Sequence, residues 1–130
     1  GIAATPDGLG YWLVSSAGAV SPFGDAASFG DVAGQRVNAP IVGIAATTDG
    51  QGYWLIGSDG GVYAFGDAGF FGSTGGMRVN APVAGLAATS DGQGYWLVGS
   101  DGGVFAFGDA GFVGSMGGQH LNKPAIQLVP

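Results

Sequence analysis

Apolar and polar residues alternate along this chain in short bursts, not in helical sweeps. In residues 49–67, DGQGYWLIGSDGGVYAFGD, the run Tyr53-Trp54-Leu55-Ile56 is aromatic and β-branched, which suits a pleated strand. Ser58-Asp59-Gly60-Gly61 follows with residues that accept φ > 0 in a tight turn. Val62-Tyr63-Ala64-Phe65 makes a second apolar run, stopped by Gly66-Asp67. The stretch predicts a β-hairpin, and it recurs at 91–109 and, with more substitutions, at 7–25.

The hairpin belongs to a longer period. Gly1-Ile2-Ala3-Ala4-Thr5, Gly43-Ile44-Ala45-Ala46-Thr47 and Gly85-Leu86-Ala87-Ala88-Thr89 are spaced by 42 residues. Copies 43–84 and 85–126 agree at 30 positions, and copies 1–42 and 43–84 at 26. Self-similarity at such a period marks a repeat architecture. The chain therefore reads as a single repeat domain over 1–130, with copies at 1–42, 43–84 and 85–126 and the start of a fourth at 127–130. In the second copy the pattern predicts strands near 42–46, 52–57 and 62–65, and a weak fourth near 70–73. Thr48-Asp49-Gly50 turns between the first two. Residues 75–82 link to the next copy and end on Pro82, which fixes φ and lacks a donor, so it suits the start of a strand better than its middle.

Four short strands in each copy fit either a β-propeller blade or one third of a β-trefoil. Side chains alternate across a strand, so Tyr53 and Leu55 point one way and Trp54 and Ile56 the other. Both faces are apolar, as expected for a blade stacked between two neighbours. The fold expected is all-β and β-propeller-like, with three four-stranded blades per chain; the β-trefoil is the alternative. Propellers typically have about 4–8 blades, so three do not close a ring. An open arc would expose apolar faces and strand edges. Closure to six blades by a second chain, a homodimer about a two-fold axis, is therefore expected; otherwise the chain is a piece of a longer array. It opens on Gly rather than Met, as a processed protein or an excised domain would. The tail at 123–129 repeats the lead-in that precedes Gly43 and that Gly1 lacks, so strand exchange between the two ends is a further route to closure.

Composition narrows the partners. The chain has 29 Gly, 9% charged residues, no Cys and no Glu. Many Gly between short aromatic runs agrees with an all-β fold. Net charge is −6, and the cations are Arg36, Arg78 and Lys123 alone, so nucleic acid is not an expected partner. No apolar run approaches the roughly 18 residues of a membrane span, and no stretch reads as a signal peptide, so no membrane association is expected.

Three residue sets carry candidate chemistry. Asp49, Asp59, Asp67 and their copies sit beside Gly at predicted turns, where a carboxylate accepts bonds from nearby backbone N–H groups. That explains them structurally; Ca²⁺ held by Asp-Gly loops is the sharper alternative. Trp12, Trp54 and Trp96, each preceded by Tyr, read as core more readily than as sugar-binding platforms. The third set is the most varied chemically. Arg36, Arg78 and His120 share one repeat position, and Asn38, Asn80 and Asn122 lie two residues further on. Segments that link blades lie at the ends of a propeller, so these six side chains would ring one rim and offer donors to a carboxylate or to sugar hydroxyls. The plain explanation is that Asn caps the turn before Pro while Arg and His are solvated. One His, no Cys and no Glu leave little for a triad or a zinc site, so no enzyme activity and no cofactor are expected. Asp31 is a carboxylate present in the first copy alone, standing where Ser73 and Ser115 occur.

The residues also resemble known families. The run Ile44-Ala45-Ala46…Gly60-Gly61-Val62-Tyr63-Ala64-Phe65-Gly66-Asp67…Gly72 is similar to the blade repeat of regulator-of-chromosome-condensation propellers. The His-Ser pair of that family is replaced here by Tyr53-Trp54, so its partner binding is not implied. The pattern from Pro40 through Gly52-Tyr53-Trp54-Leu55 to Gly66-Asp67-Ala68 resembles, over the whole chain, tandem repeats of secreted actinobacterial proteins. That resemblance implies an extracellular or cell-surface, propeller-like module and supplies no catalytic residue. Thr47-Thr48-Asp49-Gly50-Gln51-Gly52-Tyr53-Trp54 is also similar to the Asp-box hairpin of sialidase-type propellers, with Gln51 where that motif has Gly; there the box is structural. Two functions follow as expectations. One is a secreted module binding glycan or cell-wall polymer (polysaccharide or peptidoglycan) through the rim segments. The other is a structural or assembly module with no small ligand.

Overall fold

The computed structural model describes residues 1–34, 39–74 and 82–110. These form nine strands: β1 Ile2–Ala4, β2 Gly10–Val14, β3 Val20–Gly24, β4 Ile41–Ala46, β5 Gly52–Gly57, β6 Val62–Gly66, β7 Val83–Ala88, β8 Gly94–Gly99 and β9 Val104–Gly108. They pair into three separate antiparallel sheets, β1-β2-β3, β4-β5-β6 and β7-β8-β9, one to each copy of the repeat. No described residue is helical. The all-β expectation holds, and the predicted hairpin is β5–β6, with Trp54 opposite Ala64 and Leu55 opposite Tyr63.

The fourth strand does not form in the first two copies, and its place in the third lies outside the described residues. Residues 70–73 lie outside any strand, so each sheet has three strands among the described residues, where four were expected. Their backbone is committed elsewhere. The Phe71 N–H donates to the Tyr95 hydroxyl, that hydroxyl donates to the Gly72 carbonyl, and Gly72 takes φ +135°, off any strand path. The segment is held by a side chain of the following sheet in place of a ladder.

The sheets stack face on face through the alternation of each middle strand. Trp12 and Val14 on one side of the first sheet pack against Ile44, Tyr53 and Leu55 of the second. Trp54 and Ile56, on the other side of the second sheet, pack against Tyr95 and Leu97 of the third. Trp12 meets Tyr53 edge-on with ring centroids 5.5 Å apart, and Trp54 meets Tyr95 at 5.8 Å. This places the core in two layers between three sheets, and it explains why β5 is apolar on both faces and buried along its whole length. The first strands β1, β4 and β7 lie side by side along the stack. Backbone bonds tie the copies together: Ile41 N–H to Ser16 O at 2.9 Å, and Val83 N–H to Ser58 O at 2.8 Å. Val42 bulges out of the β4–β5 ladder, which lets β4 reach that bond and still pair with β5.

Candidate functional site

The hairpin register decides which polar groups meet. Gly52 opposes Gly66 at the end of β5–β6, so the turn before β5 and the turn after β6 come together. The approach is close enough that a Cβ on Gly52 would lie 2.5 Å from the Phe65 carbonyl and 2.6 Å from the Asp67 nitrogen. Only glycine fits there. The result is a cluster of Thr47, Asp49 and Asp67, repeated as Thr5, Asp7 and Asp25 and as Thr89, Asp91 and Asp109.

In each cluster a threonine hydroxyl stands between two carboxylates. Thr47 Oγ1 lies 2.8 Å from Asp49 Oδ1, 3.0 Å from Asp67 Oδ1 and 3.2 Å from the Gly52 carbonyl. Asp49 Oδ1 also accepts the Gln51 N–H at 2.9 Å. The first and third copies repeat this, with Thr5 2.7 Å from Asp7 and Thr89 2.7 Å from Asp91.

Two carboxylates this close do not ionise independently. The hydrogen bond from Asp67, the Gln51 N–H and the Thr47 hydroxyl hold Asp49 below the usual carboxylate range. The same bond to Asp49, with burial and the Asp49 charge behind it, pushes Asp67 up. Asp7 and Asp91 are each lowered to about 2, first by the bond to Asp25 or Asp109, while those partners are raised. In each pair the member that accepts a backbone N–H is the one held low, and its partner is the one pushed up. Each pair therefore shares a proton over part of the acid range.

Other carboxylates are backbone anchors. Asp59 and Asp101 accept the N–H of Gly61 and Gly103 at 2.9 Å, as the turn reading expects. Asp31, the carboxylate present in the first copy alone, accepts the Val20 and Ala33 N–H groups at 3.1 and 3.2 Å. It caps the edge strand β3. Among the described residues no three carboxylate, imidazole or thiol groups converge. A cavity of about 790 Å³ opens beside β4 and β7, with Ala45 and Ala88 among its apolar lining and Trp96, Asp91 and Asp109 on its wall. Those two carboxylates are the third pair, already engaged with each other and with Thr89.

The rim residues Arg36, Asn38, Arg78, Asn80, His120 and Asn122 all lie outside the described residues, as does the tail at 123–130. The Trp expectation is met in two copies. Trp12 and Trp54 are fully buried, their indole N–H groups donating to Ala27 and Gly69 carbonyls at 2.7 Å, while Trp96 is only partly buried. The tyrosine before each Trp does more than the sequence suggested. The Tyr53 hydroxyl donates to the Gly30 carbonyl and accepts the Phe29 N–H of the preceding copy, and Tyr95 does the same with Gly72 and Phe71.

The equivalent in the first copy, Tyr11, lies on a sheet face that no other sheet of the described residues covers. Tyr11 and Leu13 are 40% and 39% exposed, where Tyr53 and Leu55 are both at 0%. Ile2 and Phe23 pair with Leu13 and Tyr11 across the ladder, so they share that face, and both are exposed. Among the described residues this face is thus exposed, apolar apart from Ser21 opposite Leu13, and free of charged residues. The Asp pairing was readable from the 18-residue spacing of 7 and 25, 49 and 67, and 91 and 109 once the hairpin register is drawn; the tyrosine clamp had no such signal.

No protein-family model matches this chain, and no curated protein matches it. The repeat resemblance rests on the motif residues alone.

Proposed function

We propose that this chain is a scaffold of β-propeller type, an arc of three blades that assembles by stacking sheet on sheet. Its role is to join and space what it is attached to. The observation that carries this reading is the open Tyr11 face, 40% exposed at a position where both other copies are covered completely. Fully burying a residue such as Ile2, Leu13 or Phe23 contributes about 1.5–3 kcal/mol, so leaving the face wet is costly. Face-to-face stacking with the first strands side by side supports the propeller over the trefoil.

Light scattering after size exclusion tests the scaffold. The expected mass is a multiple of 12.7 kDa, with two chains supplying six blades. A monodisperse monomer at every concentration overturns it. The rival is glycan or peptidoglycan binding by Arg36, Asn38, Arg78, Asn80, His120 and Asn122, and a pull-down on insoluble cell-wall polymer decides it. Retention that disappears in Arg36→Ala/Arg78→Ala would replace the scaffold reading. The secreted or cell-surface placement that goes with the repeat resemblance is part of the same proposal.

A further inference from the structure

An Asp-Gly step is a place where a protein chain can rearrange without any enzyme. The glycine nitrogen attacks the aspartyl Cγ, one water leaves, and a five-membered succinimide closes. Glycine favours this because it has no side chain to hinder the ring and the backbone freedom to adopt it. Water then adds back at either carbonyl, and addition at the α-carbonyl leaves isoaspartate, with the main chain running through Cβ. The water lost in the first step is regained in the second, so no co-reactant is needed. This chain has five such steps, at Asp7, Asp49, Asp59, Asp91 and Asp101, and all five lie in turns between described strands.

Exposure alone would make these steps reactive, since Asp7, Asp49 and Asp91 are open to solvent. The turn bonds oppose ring closure from both sides. The attacking nitrogen is engaged as a donor: Gly50 N–H to the Thr47 carbonyl at 3.0 Å, and Gly60 N–H to the Gly57 carbonyl at 2.9 Å. The carboxyl is drawn past that nitrogen to the next one. Asp49 Oδ1 accepts the Gln51 N–H and Asp59 Oδ1 the Gly61 N–H, both at 2.9 Å. The other steps repeat this arrangement. Gly8, Gly92 and Gly102 donate to the Thr5, Thr89 and Gly99 carbonyls, while Asp7, Asp91 and Asp101 accept from Leu9, Gln93 and Gly103. At Asp7, Asp49 and Asp91 a threonine hydroxyl adds a further bond to the same carboxylate oxygen. Cyclisation has to break these bonds before Cγ can meet the nitrogen.

We infer that the five Asp-Gly steps are modification sites gated by the fold: each forms isoaspartate when its turn opens and is held as ordinary aspartate while the turn is closed. For the structure the change runs one way. An isoaspartyl residue lengthens the main chain by one carbon and carries its carboxylate directly on Cα. The oxygen that reached the N–H two residues on is displaced, and the turn cannot be rebuilt with the same bonds. A chain that ages unfolded therefore loses the ability to refold, and the working life of the array follows how rarely its turns open.

The test ages the wild-type chain in mildly acidic buffer, with and without concentrated urea, and measures isoaspartate at each step by peptide mapping with mass spectrometry. Conversion in the folded chain should be slower at all five steps, on the order of tenfold or more, because breaking two turn bonds precedes the chemistry. After removal of urea, the fraction that regains the native circular dichroism spectrum should fall as isoaspartate rises. Equal rates with and without urea overturn the gate, and full refolding of converted chains overturns the one-way consequence. A second arm uses Thr47→Ala, which takes one bond from Asp49 and none from Asp91. Isoaspartate should rise at Asp49 alone, with Asp91 in the same molecule as the internal reference. No rise at Asp49, or an equal rise at Asp91, would show that the bonds of each turn do not set its rate, and the inference fails.

Discussion

Thr47 shows what a single side chain settles in this protein. Its hydroxyl lies within hydrogen-bond reach of both carboxylates, 2.8 Å from Asp49 and 3.0 Å from Asp67, and holds the two side by side. The two carboxyls then act on stability in opposite senses. Asp49, held low, contributes stability above the unfolded carboxylate pKa of about 3.9 and loses it as pH falls through its folded value. Asp67, held high, contributes below the unfolded value and loses it as pH rises through its folded value. Stability is therefore greatest in the acid window between the two folded values, where each pair holds one proton, and declines toward neutral pH as the like charges meet. Asp67→Asn keeps the shape, offers an amide donor to Asp49 and removes the second charge. Thermal unfolding should show this variant more stable than wild type at pH 7, with the advantage shrinking or reversing near pH 4. An equal advantage at both pH values would mean that the shared proton is not the cause.

At the scale of the strand and turn, glycine position carries the design. Gly60 sits in the β5–β6 turn at φ +84°, and a Cβ there would fall 1.6 Å from Thr74 Oγ1 and 3.2 Å from a Val83 methyl. Thr74 is fully buried and hands its hydroxyl proton to the Asp59 carbonyl, so it cannot swing away without losing a buried bond. Gly60→Ala combines a left-handed backbone strain of about 1–3 kcal/mol with this clash, and it should lower stability by about 2 kcal/mol or more. Chemical denaturation against wild type measures it; a neutral result would mean the turn relaxes freely. The hairpin, its turn and the two-sided burial of β5 were all legible in the sequence, because they follow from local alternation and turn chemistry. The absent strand at 70–73 was not. Phe70-Phe71-Gly72 has strand composition, and what prevents a ladder is a tyrosine 24 residues away that takes the Phe71 N–H. Tertiary capture of this kind leaves no local signature. The proposed rim lies outside the described residues, so the sequence pattern is still its only support.

At the scale of the molecule, stacking makes the array nearly one-dimensional: each sheet touches only its neighbours, and stability is a sum over sheets and interfaces. Trp54 is the centre of the second interface and is fully buried. Removing it should cost about 3–5 kcal/mol, the range for deleting a large buried aromatic. In a one-core protein that loss spreads over the whole fold. Here it falls on the contact between the second and third sheets, while Trp12 and Tyr53 still clamp the first to the second. Trp54→Ala should therefore strip hydrogen-exchange protection from the amides of β7, β8 and β9 well before those of β2 and β5. Trp12→Ala should do the reverse, exposing the first sheet while the third stays protected by the second. If the chain instead behaves as one cooperative block, both variants will lose protection uniformly. The three sheets would then be coupled by more than the two aromatic layers between them, and the order in which protection disappears tells the two cases apart.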